Sequence, residues 1–186
     1  MSHLPLVFLD FEGTGLPIDL KDGTTDWPLP LELGVVVTDG DLNVVVQDSW
    51  VIRWPRWKVL ERMQPEALAM HEANGLLEEI EQAPLVLEGV EHACLSLLVK
   101  HKAEGLYMAG SGLTYDRRML ARWFPILSTK FHHRNVDLTT LRYFFGSEKS
   151  EPAHRALPDC HQSLGMLREY VARARACGLL PLAVAV

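Results

Sequence analysis

The sequence has few cysteines, no long apolar run and no excess of positive charge. Its three cysteines, Cys94, Cys160 and Cys177, are scattered and lack the spacing of a zinc site, so we expect each to be a small core residue in a reducing compartment. No apolar stretch reaches the roughly 20 residues that cross a membrane. The formal net charge of -6 argues against a large basic surface for long duplex nucleic acid.

The overall composition is that of an ordinary globular protein. Of the 186 residues, 48% are hydrophobic and 23% are charged, which predicts one domain over residues 1–186 with a full hydrophobic core. Residues 1–5 hold no basic segment before the first apolar run, so we expect no signal peptide and a cytoplasmic location.

The hydrophobic pattern predicts an antiparallel meander followed by alternating helices and strands. Apolar runs predict strands at 6–9, 31–38 and 42–52, and a turn signal at 39–41 joins the last two. Further strands are predicted at 106–109 and 136–138, helices at 65–70, 84–103, 115–123, from 139 and over about 156–177, and irregular connections at 17–30 and 53–58. This order predicts an α/β fold, a mixed sheet with helices on both faces and the first strand in the centre.

A tryptophan–arginine cluster lies in the connection at 53–58, where Trp54 and Trp57 flank Pro55 and Arg56. Such a cluster can stack on the bases of a nucleic acid. The alternative, which we favour, is that these side chains anchor the connection over the core.

Two carboxylates, Asp10 and Glu12, lie at the end of the first predicted strand. Residues i and i+2 of a strand point to the same face, so the two side chains should project together. Close carboxylates raise each other's cost of ionisation, and a divalent cation such as Mg²⁺ relieves that repulsion. Taken alone, the pair is equally consistent with a solvated strand end.

Two further acidic residues precede or open predicted helices. Asp116 follows the fourth strand, where the helix macrodipole alone would favour a carboxylate. Asp159 lies near the start of the last helix, five residues after His154. A lone histidine at this point is typical of a surface residue. Beside an acidic cluster, however, it can take a proton from water while the acids hold a metal.

Together, Asp10, Glu12, Asp116, His154 and Asp159 resemble the ordered motifs of the DEDDh 3′–5′ exonucleases. Their order and the five-residue gap between histidine and aspartate agree with that group, and within it the chain is most similar to the oligoribonuclease family. The similarity covers nearly the whole chain, through residues 10–16, 32–43, 71–76, 109–111, 116–118, 131–134, 137–140 and 154–159.

The resemblance implies a ribonuclease H-like fold, two Mg²⁺ or Mn²⁺ ions per active site and a homodimer. It implies that Asp10, Glu12, Asp116 and Asp159 are metal ligands and that His154 is the general base. It also implies that the partner is a short single-stranded oligonucleotide, of RNA or alternatively of DNA.

The resemblance further assigns substrate contacts. Leu16 matches the family leucine that wedges against the terminal bases, His71 matches a histidine near the substrate, and Ser111 follows the glycine that ends the fourth strand. Arg134 and Thr139 match the region that, from the partner subunit, caps the 5′ phosphate of a dinucleotide.

The sequence departs from the family at three places. His133 replaces the tyrosine that usually precedes the arginine, and Ser111-Gly112 replaces an asparagine–serine pair. The segment between Asp137 and His154 is several residues shorter than is typical. These departures predict a preference for short oligonucleotides without strict limitation to dinucleotides.

The predicted function is therefore hydrolysis of short RNA oligonucleotides to nucleoside 5′-monophosphates by a two-metal mechanism. One alternative is a DEDDh exonuclease acting on DNA or on longer RNA 3′ ends, as in proofreading or ribonuclease T-like enzymes. Another is a non-catalytic nucleic-acid-binding protein with the same fold, which the intact carboxylates and histidine argue against.

Overall fold

A mixed five-stranded sheet forms the centre of the computed structural model, which describes residues 5–146 and 152–179. The strands of this sheet are β1 (Leu6–Gly13), β4 (Pro30–Thr38), β5 (Val44–Val51), β6 (Tyr107–Gly110) and β7 (Asn135–Asp137), while β2 (Ile18–Asp19) and β3 (Thr25–Asp26) form a separate two-stranded sheet. The sheet has the order β5-β4-β1-β6-β7, with β1 antiparallel to β4 and parallel to β6. The predicted mixed sheet with a central first strand is confirmed.

Eight helices accompany the sheet within the described residues. They are α1 (Arg56–Arg62), α2 (Pro65–Ala73), α3 (Leu76–Ile80), α4 (Leu87–Lys100), α5 (Leu113–Trp123), α6 (Pro125–Ser128), α7 (Leu138–Phe145) and α8 (Ala156–Ala176). The predicted helices are confirmed, with shifts of a few residues at their ends. No helix in this part of the chain is long and apolar enough to cross a membrane.

The prediction of irregular connections was wrong in two segments. The first holds the β2–β3 hairpin, whose strands of two residues are too short to show an alternating pattern. The second is partly helical, because α1 begins at Arg56 and buries only Val59. Trp54 does anchor its connection, since its indole N–H donates to the Pro30 carbonyl at 2.8 Å, whereas the side chain of Trp57 is exposed.

The central strand is buried on both faces, which explains its unbroken apolar run. Val7, Leu9 and Phe11 pack into the cluster that includes α4 and α5, while Leu6 and Phe8 pack into the cluster that includes α7 and α8. Helices therefore cover both faces, as predicted. The even-numbered positions continue on the α8 side, so Asp10 and Glu12 share the face on which α8 lies.

Two of the three cysteines are core residues. Cys94 and Cys160 are buried, in agreement with the sequence prediction, and all three thiols are free. The prediction for Cys177 was wrong, because this residue follows the last turn of α8 and its side chain is exposed.

The first turn of α8 lies directly against the backbone of β4. A Cβ atom added to Gly34 would lie 2.5 Å from the carbonyl carbon of Ala156 and 2.7 Å from its oxygen, closer than real contacts allow. Gly34 pairs with Asp10 in the sheet. The absence of a side chain at position 34 therefore lets the start of α8, with its acidic residue, come close to the carboxylate of β1.

We predict that Gly34→Ala destabilises the fold by about 1–3 kcal/mol, the usual cost of overpacking, and displaces the start of α8. The measurement is the free energy of unfolding in urea. Gly165→Ala is the matched control, because it lies within α8 and an added Cβ would meet nothing within 4 Å. That control should be neutral or more stable by up to about 1 kcal/mol. Equal stability of the two variants would contradict the close approach at Gly34.

Candidate active site

Four carboxylates from three elements converge at the carboxyl end of β1. Asp10 and Glu12 come from β1 itself, Asp116 from the first turn of α5, and Asp159 from the first turn of α8. Burial and then the negative charges of Asp116, Glu12 and Asp159 raise the pKa of Asp10, so Asp10 lies within electrostatic reach of the other three. The structure thus brings together the acidic residues that the sequence singled out.

His154 joins this cluster. A ring nitrogen of His154 and carboxylate oxygens of Glu12 and Asp159 lie within 4.8 Å of one another, a spacing that could hold a metal ion. Carboxylate oxygens are the ligands that Mg²⁺ and Mn²⁺ prefer. The donor set and its geometry therefore fit a divalent cation.

The carboxylates are costly to ionise without a cation. Burial, followed by the charge of Asp116, raises the pKa of Asp10 well above its usual value. Burial and the charges of Asp159 and Glu32 raise the pKa of Glu12 to about 8. Burial raises the pKa of Asp116 to about 7 even though backbone N–H groups oppose the shift. A divalent cation would offset this repulsion and release the bound protons.

Backbone hydrogen bonds orient two of the carboxylates. The Phe11 N–H donates to Oδ1 of Asp116 at 3.0 Å, which ties the start of α5 to β1. The Ala153 N–H donates to Oδ1 of Asp159 at 2.8 Å. Backbone donors therefore fix the position of Asp116 and of Asp159.

His154 has a backbone conformation that few residues with a side chain adopt. Its φ angle is +54°, in the left-handed region. The Asn74 side-chain amide donates to its carbonyl at 2.5 Å. This contact holds a strained residue beside the carboxylates, and strained backbone of this kind is often found at functional sites.

A partly buried ion pair next to His154 was not predicted from the sequence. The guanidinium of Arg155 donates to both oxygens of Glu32, from Nε at 3.0 Å and from Nη2 at 3.2 Å, and the Ala156 N–H donates to the same carboxylate at 3.1 Å. Glu32 is 2% exposed and pairs with Glu12 in the sheet. Arg155 also bridges to Glu79 on α3 at 2.8 Å. Glu32 therefore fixes Arg155, which precedes α8, and Ala156, at which α8 begins.

Leu16 lies at the edge of an open groove of about 370 Å³ beside Glu12, with Phe11, Met70 and Tyr115 among its walls. The side-chain amide of Gln64 holds this loop through two hydrogen bonds. Its Nε2 donates to the Leu16 carbonyl at 2.8 Å, and the Leu16 N–H donates to its Oε1 at 3.0 Å. The Leu16 side chain is 64% exposed and is thus available to a ligand.

His71 lies next to two residues that line the groove, Gly13 and Glu12. Its side chain is fully buried, with Nε2 3.0 Å from the Gly13 carbonyl and 3.8 Å from a carboxylate oxygen of Glu12. Burial lowers the pKa of His71, so the neutral ring donates from Nε2 to Gly13. Its effect on a substrate would therefore pass through the Gly13 backbone.

The other three predicted substrate residues lie around β6 and β7. Ser111 is exposed, and its hydroxyl lies 3.2 Å from that of Ser163 on α8. The side chain of Asp137 accepts from the Thr139 N–H at 2.9 Å and so caps α7. Arg134 is exposed on the adjoining loop. Among the described residues, no hydrogen bond or ion pair joins Arg134 or Thr139 to the carboxylate cluster.

Curated relatives cover most of the chain. The oligoribonuclease of Mycobacterium sp. (strain KMS) is 32% identical over 176 residues, which cover 89% of this chain and 79% of that protein. The probable oligoribonuclease of Dictyostelium discoideum is 30% identical over 173 residues, covering 89% of this chain and 87% of that protein. The oligoribonuclease of Chromobacterium violaceum is 29% identical, covering 89% and 92%. No protein-family model matches the chain.

Solved structures share the fold. E. coli exonuclease I in complex with a 5cy-dT13 oligonucleotide superposes with a TM-score of 0.64 at 15% sequence identity. The match covers 94% of this chain and 42% of the exonuclease I chain, so this chain spans less than half of that protein. Together with the curated relatives, this match confirms the resemblance and the ribonuclease H-like fold predicted from the sequence.

We predict that the metal-free protein loses stability as the pH rises from about 5 to about 8. The folded pKa values of Glu12 and Asp116 are raised to about 8 and about 7, so the folded chain binds more protons than the unfolded chain in this window. The measurement is the melting temperature in EDTA across that range. Glu12→Gln should flatten the dependence, as should saturating Mg²⁺. A melting temperature that rises with pH in EDTA would contradict the assignment.

Proposed function

Because the chain belongs to the oligoribonuclease family, we propose that it is a metal-dependent 3′–5′ exonuclease that releases nucleoside 5′-monophosphates from short RNA. The observation that carries this proposal is the convergence of four buried or half-buried carboxylates with His154 at the end of β1. An arrangement of this kind is suited to phosphodiester hydrolysis, in which negative charge develops on the attacking and leaving oxygens.

Asp10, Glu12, Asp116 and Asp159 would hold two divalent cations, Mg²⁺ or Mn²⁺. When bound, these ions would neutralise the charge on the attacking and leaving oxygens. The site carries four carboxylates, and two dications balance their charge. An acidic protein with a net charge of -6 can then bind a polyanion at this point.

His154 is the proposed general base. Its ring lies beside Glu12 and Asp159, where a water molecule attacking the phosphorus would stand. The water proton passes to the ring nitrogen as the new oxygen–phosphorus bond forms. The bond to the leaving 3′ oxygen breaks, and that oxygen takes a proton from solvent water to become a hydroxyl. Histidine is the side chain most often used for such transfers near neutral pH.

The groove beside Glu12 would take the base of the 3′-terminal nucleotide. Its walls include Phe11, Leu16, Met70 and Tyr115, and aromatic and apolar side chains of this kind stack on bases without selecting among them. Gln64 and His71 support the loop that forms one wall. Ser111 is proposed to contact the substrate from the β6 side.

We further propose that residues 1–186 act as one domain in the cytoplasm. All three hydrophobic clusters include residues of β4, so no boundary divides the described residues into separate cores. All three cysteines are free, which supports a reducing compartment.

A homodimer is proposed on the surface around α7. Tyr143 and Phe144 are 85% and 75% exposed, and their rings pack edge to face at a centroid distance of 5.5 Å. Neighbouring exposed aromatics are enriched at protein interfaces. They lie on the helix that begins just before Thr139, on the same segment as Arg134, so a second copy seated here would bring that arginine to the interface.

We predict that turnover requires Mg²⁺ or Mn²⁺ and that His154→Ala lowers kcat by about 10²–10⁴, the usual contribution of general acid–base catalysis. The measurement is nucleoside 5′-monophosphate release from 5′-labelled RNA and DNA of two to twenty nucleotides, at several metal concentrations. Asp10→Ala should abolish turnover, and His92→Ala, exposed on α4, is the control.

Full activity in excess EDTA would contradict the metal requirement. No turnover at any metal concentration would favour a protein that only binds nucleic acid. If His154→Ala shifts the metal concentration for half-maximal activity as much as Asp116→Ala does, His154 is a ligand and not the base. Faster turnover of DNA than of RNA at every length would favour the DNA-directed alternative.

We predict that Arg134→Ala reduces kcat/KM most on a 5′-phosphorylated two-mer, where one charge-assisted contact is a large share of all contacts. Five-mers and ten-mers should lose less. The measurement pairs these kinetics with light scattering, and Arg53→Ala, exposed beyond β5, is the matched control. Equal losses at every length, or a fully active monomer, would rule out a site shared between two copies.

A further inference from the structure

A second cleft, here called the basic groove, lies between the β2–β3 hairpin, α1 and the end of α5. Its volume is about 260 Å³, and its walls include Asp26, Trp27, Lys58, Arg62, Arg122 and Trp123. None of these residues takes part in the mechanism above. No local spacing in the sequence predicts the groove, because its walls come from three separate segments.

The basic groove concentrates positive charge in an acidic protein. Three basic residues and one acidic residue line it, while the whole chain has a net charge of -6. Arg62 is paired with Asp26 at 2.7 Å. Lys58 and Arg122 make no ion pair with any described residue. Two cations are therefore available to an external anion.

Tryptophan faces hold these two cations in place. Nζ of Lys58 lies 4.5 Å from the centre of the Trp54 ring, and the guanidinium of Arg122 lies 4.7 Å from the centre of the Trp123 ring. A cation–π contact occupies only the side of the cation that faces the ring. The indole N–H of Trp123 already donates to the Pro28 carbonyl at 3.0 Å, so its ring is fixed.

The basic groove adjoins the loop that borders the candidate active site. Leu29, which lines the basic groove, exchanges two hydrogen bonds with Thr14: the Thr14 N–H donates to its carbonyl at 3.0 Å and its N–H donates to the Thr14 hydroxyl at 2.9 Å. Arg62 lies two residues before Gln64, whose amide holds Leu16. A strand that passes over Leu16 would thus reach the basic groove next.

We propose that the basic groove binds the phosphates of the 5′ part of a single-stranded oligonucleotide whose 3′ end lies at the carboxylates. Single-strand binding surfaces combine a positively charged groove with aromatic side chains, as this one does. The inference rests on the proposed exonuclease function. Binding in the basic groove would make the affinity for substrate increase with the length of the strand beyond the nucleotides held at the active site.

The test compares the double variant Lys58→Gln/Arg122→Gln with Lys100→Gln/Lys102→Gln. This control removes the same charge from two exposed residues, one at the end of α4 and one just after it. The first variant should raise the ratio of the ten-mer KM to the two-mer KM about tenfold. Its slope of log KM against log salt on the ten-mer should fall by about 1.4, because each single-strand phosphate contact contributes about 0.7. The control should leave both quantities unchanged.

A binding measurement separates this inference from the proposed function. Fluorescence anisotropy of a labelled ten-mer RNA with the Asp10→Ala protein needs no turnover, so it tests the basic groove even if the protein proves to have no nuclease activity. Arg122→Gln alone, at an exposed position, should weaken binding in the same direction. Equal affinities of the two double variants, or equally tight binding of a hexaglutamate peptide, would overturn the proposal.

Discussion

The repulsion among the carboxylates at the end of β1 is the constraint around which the site is built. Glu12 and Asp116 are almost fully buried, and their raised pKa values measure how unfavourable their charged forms are without a counter-ion. The surrounding structure holds them in place all the same. A central strand buried on both faces fixes two of them, and the first turns of two helices supply the others.

The contacts that oppose this repulsion come from the backbone and from one partly buried ion pair. Phe11 and Ala153 donate their N–H groups to carboxylates of the cluster. Arg155 pairs with Glu32, a fifth acidic residue whose charge adds to the repulsion, and its positive charge offsets part of that effect on Glu12. Removing one partner of a buried pair leaves an uncompensated charge, which costs more than the pair itself contributes.

The sequence predicted the parts of the site that depend on local spacing. The period of a strand places Asp10 and Glu12 on one face, and the starts of helices place Asp116 and Asp159 at the same edge of the sheet. The pairing of Glu32 with Arg155, 123 residues away, carries no local signature. The same holds for Gln64 and Leu16, and for the contact of Gly34 with Ala156, because spacing does not say which distant segments meet.

Two contacts join the segment that precedes α8 to the helices α2 and α3. Asn74, at the end of α2, holds the His154 carbonyl, and Arg155 joins α3 through Glu79. Met70, on α2, also lines the groove proposed for the terminal base. An occupant that presses α2 outward would pull on the residue expected to accept the proton. The helix that walls the groove and the residue expected to accept the proton thus share one point of attachment, the side chain of Asn74.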